Sequence, residues 1–135
     1  MLELGPGPGF FSVYIARRVS SGHLCLVHLQ REMLDKARAR IRRAGVSNVS
    51  FAQAGASALP FAREVFDAAF LVTVLGEVPD AAACVAALRD VVRTGGLLSI
   101  TELAGDPDAM TERDITALAK EANLEHAETF RMRAA

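Results

Sequence analysis

The sequence has two cysteines in 135 residues, and they lie far apart. Cys25 sits in an apolar, strand-like run and Cys84 in an alanine-rich helical one. That spacing is neither a metal-ligand pattern nor a disulfide framework, so both are expected to be small buried hydrophobes. Long apolar runs are lacking as well. Hydrophobic residues make up 51% of the chain, yet no uninterrupted stretch approaches the roughly 18 residues of a membrane-spanning helix. The first residues also lack the basic flank and apolar core of an export signal, and a soluble, cytoplasmic protein is the expectation. Neither sign of charge is in excess: 15 basic residues face 16 acidic ones, a formal net charge of −1. Neither nucleic acid nor a membrane is therefore an expected partner of the chain as a whole. Repeats and linkers are absent, and the length fits one domain of about 100 to 200 residues. One local exception to the balanced charge is the crowding of Arg31, Lys36, Arg38, Arg40, Arg42 and Arg43 on one predicted helix. It reads either as a solvated face whose long side chains cover apolar neighbours or as a binding patch.

What the sequence does contain is concentrated at its start. Met1-Leu2-Glu3-Leu4 is an apolar stub carrying one carboxylate, Gly5-Pro6-Gly7-Pro8-Gly9 alternates glycine with proline, and Phe10-Phe11 opens an amphipathic stretch. This order reads as strand, tight loop and helix start. Glycines there let the backbone take positive φ and approach a ligand without Cβ collisions, while the following helix directs free N–H groups at it. The same residues could also form an ordinary glycine-proline turn.

Downstream, short aliphatic or β-branched runs alternate with helical periods, the pattern of a mostly parallel, twisted sheet covered by helices on both faces: a Rossmann-like α/β fold. Strands are expected at residues 1–4, 24–29, 49–53, 66–72, 97–102 and 124–130. Helices are expected at about 10–19, with Phe11, Ile15 and Val19 sharing a face, and at about 32–44, with Leu34, Ala37, Ile41 and Ala44 inward and Gly45 as the C-terminal cap. A third follows Pro79-Asp80 and runs to Val92, and Gly95-Gly96 turns into the fifth strand. The last helix starts at Thr111, whose hydroxyl pairs with Asp114 as a cap. In such a sheet, ligands bind beyond the carboxyl ends of the strands. The glycine loop, His28 and Leu29, residues 55–57 and Thr73 then share one rim.

A dinucleotide fingerprint requires G-x-G-x-x-G, but Phe10 occupies the sixth position. The observed G-x-G-x-G after an acidic strand resembles motif I of the class I S-adenosylmethionine-dependent methyltransferases. Gln30 to Arg38, with its Glu32-Met33-Leu34 core, is similar to the family's second helix. Leu59-Pro60-Phe61 with Val65-Phe66-Asp67 resembles the approach to strand four, and Val91 to Leu98 resembles the helix, Gly-Gly turn and strand five. The closest flavour is the small-molecule branch, of the quinone-biosynthesis or arsenite type; two isolated cysteines give the arsenite type little support.

The resemblance implies S-adenosylmethionine as cofactor and a small molecule as methyl acceptor. Glu3 would organise the cofactor's ammonium end, Gly5, Gly7 and Gly9 would line its methionine and ribose, and Leu29 would pack on adenine; Glu3 could equally be only a strand residue. Departures are also visible. Where the family usually places a ribose-binding acid after strand two, this chain has Val27-His28-Leu29. Where it often places an adenine-binding acid after strand three, this chain has Ala54-Gly55-Ala56-Ser57. His28 could accept one hydroxyl proton and Ser57 could serve adenine; His28 could also be a solvated strand-end residue. Thr73 and Glu77 follow strand four without an Asn/Asp-Pro-Pro-aromatic motif, and Gly76 stands where related enzymes often carry a histidine. His23 and His126, the latter in the sixth strand, read as structural.

Family members also carry residues before the first strand and a seventh strand, so the expectation is a shortened form of the domain, with homo-oligomerisation as one way to supply missing elements. Three functions follow. The first is a methyltransferase acting on an unidentified small molecule. The second is a methyltransferase-like domain that binds or regulates without catalysis. The third, disfavoured by Phe10 and the missing acid after strand two, is a nicotinamide-dependent oxidoreductase.

Overall fold

In a computed structural model of the chain, which describes residues 1–132, five strands form one parallel sheet in the order β3-β2-β1-β4-β5. The strands are β1 (Leu2–Leu4), β2 (Leu24–His28), β3 (Val49–Gln53), β4 (Phe66–Val72) and β5 (Val92–Thr101). The order reverses at β1, whose residues Leu2, Glu3 and Leu4 lie opposite Cys25, Leu26 and Val27 on one side and Ala69, Phe70 and Leu71 on the other. Short as it is, β1 is anchored by its burial: all three of its residues are buried.

Alternation along β1 divides the core. Leu2 and Leu4 join Ala69 and Leu71 of β4 and the buried Cys84, Val85, Leu88 and Val91 of α3 (Ala81–Val91). Ile115 and Leu118 of α4 (Glu112–Glu121) pack against the same cluster. On the opposite face, Ala16 of α1 (Phe10–Arg18) and Leu34 and Ala37 of α2 (Arg31–Arg43) cover Leu24 and Leu26. Helices thus lie on both faces, as a parallel sheet requires. Both cysteines are buried and free; burial, with the nearby charge of Asp80 adding to it, pushes the Cys84 thiol up to about 11.

Helix ends follow their sequence signals. Gly45, at φ +68°, donates its N–H to the Arg42 carbonyl while Val46 donates to Ile41, so α2 ends in a left-handed cap. Asp80 accepts the Ala83 N–H at the start of α3, and Thr111 accepts the Asp114 N–H while donating its own hydroxyl to that carboxylate. The basic surface of α2 is partly spent on coverage, with Arg38 stacked 4.3 Å from the Phe51 ring.

Four expectations require correction. The buried face of α1 is Ser12, Val13 and Ala16; Phe11 is exposed, and Ile15 and Val19 are only half-buried. Strand two stops at His28, leaving Leu29 outside it. The Gly95-Gly96 turn lies inside β5, as an irregularity between the pairs Phe66–Val92 and Ala68–Leu97. A Cβ at Gly96 would sit 2.6 Å from the Asp67 carbonyl oxygen, so only glycine fits that kink. Residues 124–130 form no strand: His126 pairs locally with the Thr129 hydroxyl and Arg131 with Glu112. Among the described residues no helix is long and apolar enough to cross a membrane.

Candidate cofactor site

Parallel register brings the carboxyl ends of β1, β2 and β4 together, because Leu4 lies opposite both Val27 and Leu71. The chain leaves β1 at Gly5, whose N–H donates to the Val27 carbonyl at 2.8 Å. Gly5, Gly7 and Gly9 have φ of +68°, +53° and +83°, in the left-handed region where side chains are disfavoured. They differ in what surrounds them. A Cβ at Gly5 would lie 2.5 Å from Val74, and one at Gly9 would lie 3.0 Å from the Ala37 Cα, whereas one at Gly7 would meet nothing within 4 Å. Gly5 and Gly9 are thus demanded by the packing of the fold, while Gly7 lines open space at the loop's outer edge.

The loop delivers the chain into α1 without an internal cap. Gly9 occupies the N-cap with no side chain to accept a hydrogen bond, and the first turn holds no acid. The leading N–H groups of the helix are left for an anion or a polar ligand.

Beneath the loop, Glu3 is 3% exposed and its Oε2 accepts the Ser12 hydroxyl at 2.6 Å. Burial raises the carboxyl from 4.5 to about 7, against the opposing effect of the Ser12 hydrogen bond. The group that the sequence suggests for the ammonium end is thus turned inward, under α1. Ser12, fully buried, is a part of this arrangement that hydrophobic periodicity could not reveal, because it is polar.

His28 closes β2 and is half-buried. Its Nδ1 accepts the Gln30 N–H at 2.9 Å, which in the neutral ring leaves the proton on Nε2. The imidazole therefore offers a donor, where an accepting nitrogen was expected. Desolvation holds its pKa below the usual value, with the Glu77 carboxylate pulling the other way. Leu29 is 68% exposed beside it. Across the rim, Ala56 is half-buried against the α3-side core, Ser57 is exposed, and Thr73 follows β4 with φ +54°. A β-branched residue in that region is strained by roughly 1 to 3 kcal/mol; its N–H is held by the Thr101 carbonyl at 2.8 Å.

The far end of the rim was not legible in the sequence. A 3₁₀ turn at Leu75–Glu77 follows Thr73, and at Gly76 a Cβ would overlap the Asp108 carbonyl. The chain after β5 thus closes over Gly76. Below it, Glu102 has one carboxylate oxygen, Oε1, buried without a hydrogen-bond partner. Burial raises its pKa, opposed by the N–H groups of Gly76 and Leu75 and reinforced by the charges of Asp106 and Glu77. The signal that could have found it is position alone, a carboxylate one residue past the end of a parallel strand.

A methyltransferase domain family model matches residues 1–96. The chain belongs to this family of methyltransferase domains. Its membership implies S-adenosylmethionine as cofactor, and the open space at Gly7 with the uncapped α1 N-terminus fits such a group. Among similar proteins is a ubiquinone/menaquinone biosynthesis C-methyltransferase of Marinomonas sp. (strain MWYL1), 33% identical over 106 residues, covering 77% of this chain and 42% of that protein. The chain thus spans less than half the length of this curated relative. An S-adenosylmethionine-dependent methyltransferase structure from Aquifex aeolicus superposes with a TM-score of 0.81 at 21% identity, covering 90% of this chain and 69% of that one. The [4+2]-cyclase SpnF gives the same TM-score at 22% identity, covering 90% of this chain and 50% of that one. These two structures show the fold, and their names carry two different chemistries.

Proposed function

We propose that the rim binds S-adenosylmethionine and that the protein transfers its methyl group to a ring carbon of a quinone-type small molecule. The observation that carries the cofactor half is Gly7, a left-handed glycine that no internal contact requires, at the mouth of a helix with no side-chain cap. The acceptor half is supported by the name of the relative that is 33% identical over 106 residues.

The cofactor, when bound, supplies a methyl group activated on a sulfonium. Alignment and exclusion of water are then the protein's main tasks. The α1 N-terminus and the loop N–H groups would hold the carboxylate end, Glu3 would position the loop from below through Ser12, and Leu29 would offer its exposed face to adenine. The Nε2–H of His28 would donate to a ribose oxygen, and Ser57 would serve the adenine edge that Ala56 leaves without an acid. Thr73 would fix the chain where the reacting groups meet. A ring carbon that takes the methyl group releases its proton, and Glu102, whose raised pKa suits a proton acceptor, stands on the same rim.

Titration calorimetry with S-adenosylmethionine and S-adenosylhomocysteine, after cooperative unfolding has been verified, tests the first half. Saturable micromolar binding is expected. Radiolabelled methyl transfer to a soluble demethylated hydroquinone tests the second, and transfer to other acceptors but not to hydroquinones would remove the quinone assignment. A folded protein without cofactor affinity would instead favour a non-catalytic binding or regulatory domain, the reading to which His28 and Ala56 lend weight.

A further inference from the structure

The outer surface of α1 and α2 holds a second concave feature, away from the rim. A groove of about 480 Å³ is lined by Phe10, Val13, Tyr14, Arg17, Arg40 and Arg43 with Ala44 at its end. Its three guanidiniums have no carboxylate partner among the described residues, and no acid lines the groove. Two of the three are already held in place. Arg40 donates through Nε to the Pro8 carbonyl at 3.1 Å and lies 4.8 Å from the centre of the Phe10 ring. Arg17 donates through Nη2 to the Ala44 carbonyl at 3.2 Å. That contact satisfies the carboxyl end of α2, but it uses one of the several donors that a guanidinium carries, and the same is true of Arg40. Fixed guanidiniums with spare donors lose little further freedom on meeting an anion.

The apolar wall is as unusual as the charge. Phe10 and Tyr14 are 61% and 64% exposed, one helical turn apart on the side of α1 that faces α2. Exposed rings beside unpaired guanidiniums suit a ligand that carries a phosphate next to an apolar or planar moiety. The chain as a whole bears a formal charge of −1, so this attraction is local to the two helices.

We propose that the groove between α1 and α2 is a binding site for a phosphate ester, with Arg17, Arg40 and Arg43 holding the phosphate and Phe10 and Tyr14 the adjoining apolar part. The phosphate could belong to a dissolved ester or to the headgroup of an anionic phospholipid; the recognising chemistry is the same. The inference does not depend on the cofactor reading: it rests on side chains at the outer surface of α1 and α2, and the groove meets the glycine loop only through the Phe10 backbone and the Arg40 contact with Pro8.

The sequence supplies its own reporter. Tyr14 is the only tyrosine and there is no tryptophan, so intrinsic tyrosine fluorescence reports on this groove alone. The chain is titrated with phenyl phosphate, and separately with vesicles of phosphatidylcholine alone or mixed with phosphatidylglycerol, with far-UV circular dichroism as the check on folding. A saturable change with phenyl phosphate assigns the site to dissolved esters. A change confined to the phosphatidylglycerol vesicles assigns it to the headgroup. In either case the Arg40→Gln/Arg43→Gln double variant, altered only at side chains on the helix surface, should weaken binding at least about tenfold for each arginine removed. No change with any of these ligands, an equal change with neutral vesicles, or an undiminished response in the double variant would overturn the proposal.

Discussion

The two ends of the rim are built on opposite principles. Around β1 and β2 the fold leaves space: Gly7 meets nothing, α1 begins without a side-chain cap, and Leu29 stands in solvent. Around β4 and β5 the fold fills it: Asp108 closes on Gly76, Val74 closes on Gly5, and Glu102 is left with a buried oxygen that nothing satisfies. Glycine thus carries two meanings in one site. At one end it borders open space, and at the other it lets two pieces of backbone touch.

Substitution at those two glycines should separate the meanings most sharply. Gly7→Val should leave a cooperatively folding protein, with only the roughly 1 to 2 kcal/mol cost of a left-handed side chain, yet lower S-adenosylmethionine affinity by more than about a hundredfold in calorimetry, or about 3 kcal/mol. Gly76→Ala should do the reverse, lowering the denaturation midpoint severely because its Cβ overlaps the Asp108 backbone. If Gly7→Val binds the cofactor normally, the open end is not a ligand site.

Next in size is the pH dependence of Glu3. Its folded pKa of about 7 lies above the ordinary 4.5, so between these values the folded state holds a proton that the unfolded state has lost. Stability contributed by this group is complete below about pH 4.5, falls as pH rises through 7, and totals about 3 kcal/mol. Urea unfolding at pH 5 and pH 8 should show that loss in the natural protein and a much smaller one in Glu3→Gln. A similar pH slope in both would place the carboxylate in a more polar setting than its burial indicates.

His28→Asp returns an acceptor to a position where the ring now presents a donor. The expected gain in cofactor affinity is about tenfold, because a hydrogen bond to a charged acceptor, roughly 1.5 to 3 kcal/mol, outweighs the one from the neutral Nε2–H that it replaces, roughly 0.5 to 1.5 kcal/mol; a loss would mean that the ribose depends on the donor more than on any acceptor. The smallest effect is Thr73→Gly, which should relieve backbone strain and raise stability by about 1 kcal/mol, while weakening cofactor binding if the threonine side chain contributes to it.

The same division governs what the sequence discloses. The glycine loop, β3 and β4 were legible to the residue, and so were the caps at Gly45 and Thr111, because each depends on neighbours in the chain. The inward face of α1 was not, since Ser12 is buried by a hydrogen bond to Glu3 and apolar spacing favoured Phe11, Ile15 and Val19 instead. Residues 124–130 carry a strand-like pattern, but a strand exists only where another supplies its hydrogen bonds, and no pattern within the segment specifies that partner. The closure over Gly76 joins residues some thirty positions apart through backbone, which leaves no compositional trace.

The contact between Gly9 and Ala37 has a consequence for how such a site is tuned. Because the loop lies so close to the middle of α2 that a Cβ added at Gly9 would come within 3.0 Å of the Ala37 Cα, the helix acts as a stop against which the loop's height is set. A larger residue at position 37 would lift the loop, and a smaller one would let it settle, without any change in the residues that face the ligand. If the loop holds the proposed cofactor, its affinity is therefore adjustable from the far side of the loop, by a residue that never meets what is bound.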